Sequence, residues 1–184
     1  MLRNTDTQWG SVAKVFHWSV ALLVFVAFLL GWIAVSLDLS PTKLSLFVWH
    51  KSIGLLVLFA VALRMLWRFT NPVPQPLKSM PGWQHSASIG EHLTQYVLML
   101  VLPMSGWIID SAANIPFRVF WLLQLPRLAA PSEPLQEFAR DMHLRLSTCL
   151  AILLALHTGA ALWHHFLVRD EILRRMLPQG RGRA

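Results

Sequence analysis

Cysteine occurs once in 184 residues, at Cys149, which excludes an internal disulfide framework and any Cys-x-x-Cys motif. Charge is also scarce. Only 14% of the residues are charged, nine acidic against sixteen basic, where a water-soluble domain carries about 25%. Tyrosine occurs once, yet tryptophan occurs 9 times and phenylalanine 10 times, an aromatic usage that suits the boundary between hydrocarbon and headgroups. With 55% hydrophobic residues and a mean hydropathy of +0.49, the chain reads as an integral membrane protein. The net charge of +7 and pI near 10.8 come without a recognition helix or RNA-binding motif, and the basic residues flank apolar runs. No nucleic-acid partner is expected. The N-terminal tract lacks a small-residue cleavage site, so the first apolar run is expected to be retained as a span.

Four stretches are long enough to cross about 30 Å of hydrocarbon. They are approximately 15–36, 46–68, 92–110 and 143–167, predicting an all-α four-helix membrane bundle formed by residues 1–184 as one domain. Pro72, Pro74, Pro76 and Pro81 mark a surface loop between the second and third spans. "FRVFWLLQL", from Phe117 to Leu125, is too short to span and is expected at the interface. Ser132 as N-cap, with Pro134 in the first turn, predicts that the fourth helix begins well before its apolar part. With the N-terminus inside, Lys and Arg divide ten inside to six outside, which predicts both termini in the cytoplasm. The Arg/Gly-rich C-terminal tail is expected to be disordered.

Inside these apolar spans sit imidazoles. His143 and His157 are fourteen residues apart, which on a helix is about 21 Å of rise and nearly four whole turns, so they share a face at two depths. His17, near the inner start of the first span, matches His157 in depth, and His50, near the outer start of the second, matches His143. Ionisable groups in spans are rare and usually functional, and four histidines in two layers predict two metal-centred cofactors stacked across the membrane. Zinc favours closer ligands helped by carboxylate or thiolate, whereas a haem needs two facing imidazoles, apolar walls and small residues such as Gly54, Gly159, Ala160 and Ala161. Lacking cysteine pairs, the chain would hold haem non-covalently. Arg64 follows His50 by fourteen residues and so falls on that ligand's face at the depth of the inner pair. It suits a haem propionate, or alternatively a lipid phosphate reached by snorkelling. Two imidazoles fill both axial sites of an iron, which predicts electron transfer rather than substrate binding at the metal. Cys149 is expected to be a small core residue.

The pieces "FHW" at 16–18, "HKSIG" at 50–54, "GEHLTQYVLMLVLPMSGW" at 90–107 and "HLRLSTCLAILLALHTGAALWHHF" at 143–166, followed by "RDEILRRMLP", resemble the bacterial cytochrome b561 family. The resemblance implies a bundle in the bacterial inner membrane with two b haems between the helices, held by His17, His157, His50 and His143. It also implies quinone-linked electron transfer, with superoxide oxidation at the periplasmic face and ubiquinone as the acceptor.

On that reading Lys51, Arg140 and Arg145 are candidates to steer superoxide or another one-electron donor to the outer face; each also fits as an ordinary interfacial charge. His164 and His165, two turns past His157, and His92, at the inner start of the third span, are the candidates for a proton-handling quinone site. The His164–His165 pair fits an aqueous helix end as well, and His85 is expected in a solvated loop. Two other readings stay open. One is a cytochrome b anchor subunit serving a peripheral dehydrogenase or hydrogenase; the other, a histidine-lined metal-ion transporter, predicts a colourless protein.

Overall fold

The computed structural model describes residues 1–77 and 80–177. Lys78, one of the predicted inner cations, and the tail from residue 178 lie outside the described residues. Four long helices dominate: α1 (Ser11–Ser36), α2 (Pro41–Phe69), α3 (Gly82–Ala112) and α4 (Glu133–Trp163), the last continued by a π-helical turn at His164–Val168 and a short α5 (Ile172–Met176). Each of the four is long and apolar enough to cross a membrane. Their outward faces carry Leu22, Phe25, Trp32, Phe59 and Ile152 in the open, as expected where lipid rather than water is the solvent.

All four helices run past the predicted limits, because hydropathy marks only the part in hydrocarbon while the backbone ladder continues among headgroups. The starts differ most in α3, at Gly82 rather than near residue 92, and in α4, at Glu133 rather than near 143, where the cap signals already predict an earlier start. The α3 extension carries His85 on a half-buried helical turn, not in a loop, and brings Glu91 into the helix. At α4 the Ser132 side chain accepts the Leu135 N–H, with proline in the first turn, as its cap signals predict. Ser40 caps α2 in the same way, accepting from the Lys43 N–H at 3.2 Å.

Helix α2 packs along α1 and against α3, and α3 along α4. Among the described residues α4 has no comparable close packing on α1 or α2 and meets them through His157, His143 and Leu150. A compact apolar plug closes its middle, formed by Val20 and Val24 of α1, Val57 and Val61 of α2, Leu98, Met99 and Leu102 of α3, and Leu150 of α4. Cys149 is exposed, contrary to its expected core position, since α4 turns Leu150 and not its neighbour toward the plug.

One end of the bundle gathers both ends of the described chain. Lys14 Nζ donates to the Leu177 carbonyl at 2.9 Å, and Trp18 Nε1 to that of Met176 at 2.9 Å. The opposite end is covered by the α3–α4 connection. There the segment expected at the interface forms an antiparallel hairpin, β1 (Phe117–Val119) and β2 (Leu123–Leu125), with Phe117 opposite Leu125. Its tip places Phe120 and Trp121 at φ 47° and 60°, the mirror-image turn that matches strand twist but is strained for bulky residues. Compensation comes from α2. The buried Ser52 hydroxyl accepts the Phe120 N–H at 2.7 Å, and the Trp49 ring meets Phe120 and Trp121 edge-on. Leu122 stands almost fully exposed at the tip, and Trp121 is half exposed.

Candidate cofactor site

Each layer brings together the two histidines that depth alone pairs. The His17 and His157 rings lie with centroids 6.2 Å apart at the termini end, and those of His50 and His143 lie 6.2 Å apart at the hairpin end. Two imidazole nitrogens each about 2.0 Å from one metal place the ring centroids roughly 6 Å apart, so both pairs are spaced for ligation on opposite sides of a single ion. Gly54, one turn beyond His50, is half-buried and an added Cβ there meets nothing within 4 Å; Gly159 is exposed, two residues past His157 and so on nearly the opposite side of α4. Apolar residues separate the layers. The residues present therefore fit a haem in each layer by ring spacing, with apolar side chains between the two.

At the hairpin end the ring orientations are set by neighbouring helices. His143 Nδ1 lies 2.8 Å from Ser105 Oγ, whose own hydroxyl donates to the Leu102 carbonyl at 2.7 Å. With the hydroxyl proton so committed, Nδ1 donates and Nε2 keeps a free lone pair for a metal. His50 Nδ1 donates to the Ala27 carbonyl at 2.8 Å, with the same consequence. The His50 ring lies hard against α1 at Gly31, where an added Cβ would come 2.9 Å from Cε1 and 3.0 Å from Nδ1. Gly106 backs His143 more loosely, with an added Cβ 3.6 Å from Cε1. Ser105, Gly31 and Gly106 were not singled out from sequence. A lone glycine inside an unbroken apolar helix was the available signal for Gly31, because glycine costs helix stability unless something approaches closely.

The termini-end layer has charged surroundings. Arg64 Nη2 lies 3.1 Å from His17 Nδ1 and its guanidinium is 5.4 Å from the Tyr96 ring, so Arg64 occupies the depth that helix arithmetic assigns it. Beside it Arg68 and Trp67 line a small cavity with Asn4, Trp9 and Tyr96, and the buried Trp67 Nε1 has no hydrogen-bond partner among the described residues. Two guanidinium groups and an unsatisfied indole N–H suit an anion. On the other side His157 Nδ1 lies 3.4 Å from Glu91 Oε2, and the other Glu91 oxygen accepts from the Gln95 amide. His92 Nε2 is 3.8 Å from Glu91. Sequence reading placed no carboxylate near the histidines; the longer α3 does. Glu91, His92 and His157 offer ligand atoms all within 4.8 Å of one another, but a His157 bound to iron through Nε2 keeps its proton on Nδ1, which removes the third ligand.

The remaining candidates are scattered between the two ends. Lys51 is not a free surface cation: its Nζ pairs with Asp110 at 2.6 Å and lies 5.4 Å over the Phe117 ring. Arg145 pairs with Asp141 one turn earlier at 2.8 Å, whereas exposed Arg140 has no ion pair among the described residues. At the termini end His164 Nδ1 contacts Asp170 Oδ2 at 2.5 Å, and both line a cavity with Met80, Pro81, Gln84, Trp163 and Val168. His165 Nδ1 is buried without a hydrogen-bond partner among the described residues. The π-helical turn that begins at His164 ends at Arg169, with φ 60°, and aims Asp170 back at His164.

The family model for prokaryotic cytochrome b561 matches residues 8–179. "Cytochrome b561 homolog 2" of Escherichia coli (strain K12) is 33% identical, over 95% of this chain and 93% of the relative. "Probable superoxide oxidase CybB" of Yersinia pestis is 30% identical, over 90% of this chain and 93% of its own length.

Proposed function

Because the chain belongs to the prokaryotic cytochrome b561 family of membrane electron-transfer proteins, we propose that it carries two b haems, one per histidine pair, and oxidises superoxide at the hairpin end while reducing ubiquinone at the termini end. The observation that carries this reading is the pair of layers, each with two imidazole rings 6.2 Å apart. In the proposed orientation the hairpin faces the periplasm and both termini lie in the cytoplasm, which follows the positive-inside bias. Lipid surrounds the bundle. The name of the Yersinia pestis relative favours superoxide as donor.

When bound, each haem would supply a one-electron redox centre, held in one layer by His17 and His157 and in the other by His50 and His143. Arg64, Arg68 and Trp67 would hold propionate at the termini end. With His17 holding a metal through Nε2, its Nδ1 would carry the proton, and the Arg64 guanidinium would be available to the anion instead. At the hairpin end Ser105 and the Ala27 carbonyl keep His143 and His50 aimed. Two superoxide ions each lose one electron, and one ubiquinone gains both with two protons. For those protons His164, held by Asp170 beside an apolar cavity, is the best-placed donor, with His92 and His165 as further quinone-site candidates. The decisive experiment supplies superoxide to the purified protein with ubiquinone and follows quinol. Formation of one quinol per two superoxide ions supports the proposal; a haem-loaded protein that forms none refutes the donor or the acceptor.

Of the three steering candidates only Arg140 lacks an acidic partner among the described residues, because Asp110 offsets Lys51 and Asp141 offsets Arg145. One charge about 10 Å from the path of the ion is worth roughly 0.4 kcal/mol in water, about twofold in rate. Reversing Arg140 to Glu is therefore expected to slow superoxide-driven reduction about fourfold at low salt. Asp110→Asn, which unmasks Lys51, is expected to speed it about twofold, and both effects fade as salt is raised. Rates that ignore both charge and salt would remove steering from the account.

A further inference from the structure

The two layers differ in what meets the histidine nitrogens that face away from the metal position. At the hairpin end both partners are neutral, the Ser105 hydroxyl and the Ala27 carbonyl. At the termini end His157 meets a carboxylate, Glu91, and that carboxylate is itself held: Gln95, one turn on and buried, donates to Oε1 and also reaches the Leu153 carbonyl of α4 at 3.4 Å. Glu91 is only 20% exposed, so its field on the ring is weakly screened. Resting on the two-haem reading above, we propose that Glu91 is a positioning residue for the termini-end haem, fixing the His157 tautomer through Nδ1 and lowering the reduction potential of that haem relative to the value it would have without the carboxylate.

The physical reason is charge. A carboxylate accepting from Nδ1–H makes the imidazole a stronger donor at Nε2, and negative charge one ring away favours ferric iron, the more positive state. A lowered potential at this end favours release of the electron toward the quinone side. Gln95 matters because a carboxylate free to turn toward His92 would weaken the contact with His157. The short polar stretch "GEHLTQ" at 90–95 thus acts on the cofactor from outside its ligand set.

The test is Glu91→Gln in the full-length haem-loaded protein, with both haems titrated potentiometrically and assigned by the His143→Ala variant, which retains only the termini-end haem. Outer-shell partners of metal-bound histidine shift site behaviour by about 10- to 100-fold. At about 59 mV per tenfold for one electron, the termini-end potential is expected to rise by about 60 to 120 mV. The hairpin-end potential should stay where it is, the ligand-field signature of the termini-end ferric haem should change, and Glu91→Asp should restore much of both. Two haems per chain with unmoved potentials would overturn the inference and leave the haem reading intact; a wild-type protein without haem would overturn the reading beneath it. If Glu91→Gln sheds the termini-end haem, Gln95→Leu, which keeps the carboxylate but unclamps it, reads the same potential. No rise there also overturns the proposal.

Discussion

Alanine at His143 is expected to leave one haem per chain where the unsubstituted protein carries two, and alanine at His157 to leave the other one. Each substitution removes one of two facing imidazoles in a single layer, and the apolar plug from Val20 to Leu150 keeps the layers from sharing ligands. The helix itself tolerates alanine at both positions, so the bundle should stay folded. Haem-to-protein ratios with reduced-minus-oxidised spectra read the result. Two variants with different residual spectra establish one haem per pair. Equal loss of all pigment in both would mean that the histidines do not act as two independent pairs.

The second large effect is expected at a residue with no side chain. Gly31→Val forces a Cβ to within 2.9 Å of His50 Cε1, a separation that real Cβ atoms do not tolerate. Backbone on α1 cannot give way cheaply, so the imidazole must swing off and lose its bond to the Ala27 carbonyl. A displaced ligand that also loses its outer partner should weaken hairpin-end haem binding by about 10- to 100-fold or more, with the termini-end haem retained. Gly106→Ala, whose Cβ would make an ordinary 3.6 Å contact with His143, should change haem content little. Haem retention under dilution or mild chelation of the two variants compares them directly. Equal retention would mean that the contact at Gly31 is not limiting.

Much of this protein could be argued from its amino-acid order. Spans show because lipid demands about 20 apolar residues in a row, and the two histidine layers show because helical rise and turn convert a spacing of fourteen into depth and direction. Arg64 yielded to the same arithmetic, and the caps at Ser40 and Ser132 act within a single turn. These are local rules, satisfied by one helix at a time. Hydropathy was silent on α3 before residue 92, since a helix continuing among headgroups has no apolar requirement, and with that stretch went Glu91.

What only the tertiary structure decided is everything that depends on two helices at once. Gly31 on α1 receives His50 from α2, Ser105 on α3 orients His143 on α4, and Glu91 on α3 meets His157 on α4. Lys51 reads as a free cation in sequence, and only packing shows it held by Asp110, 59 positions away. The hairpin over the far end had no readable turn signal, because Phe120 and Trp121 take a left-handed backbone that Ser52 and Trp49 of another element make tolerable. The sequence by itself determined which residues enter the membrane and at what depth, through periodicity along each helix. Which nitrogen of His50, His143 and His157 is left free for a metal, and which charge stands behind it, was determined by groups on neighbouring helices, whose contacts no spacing within one helix encodes.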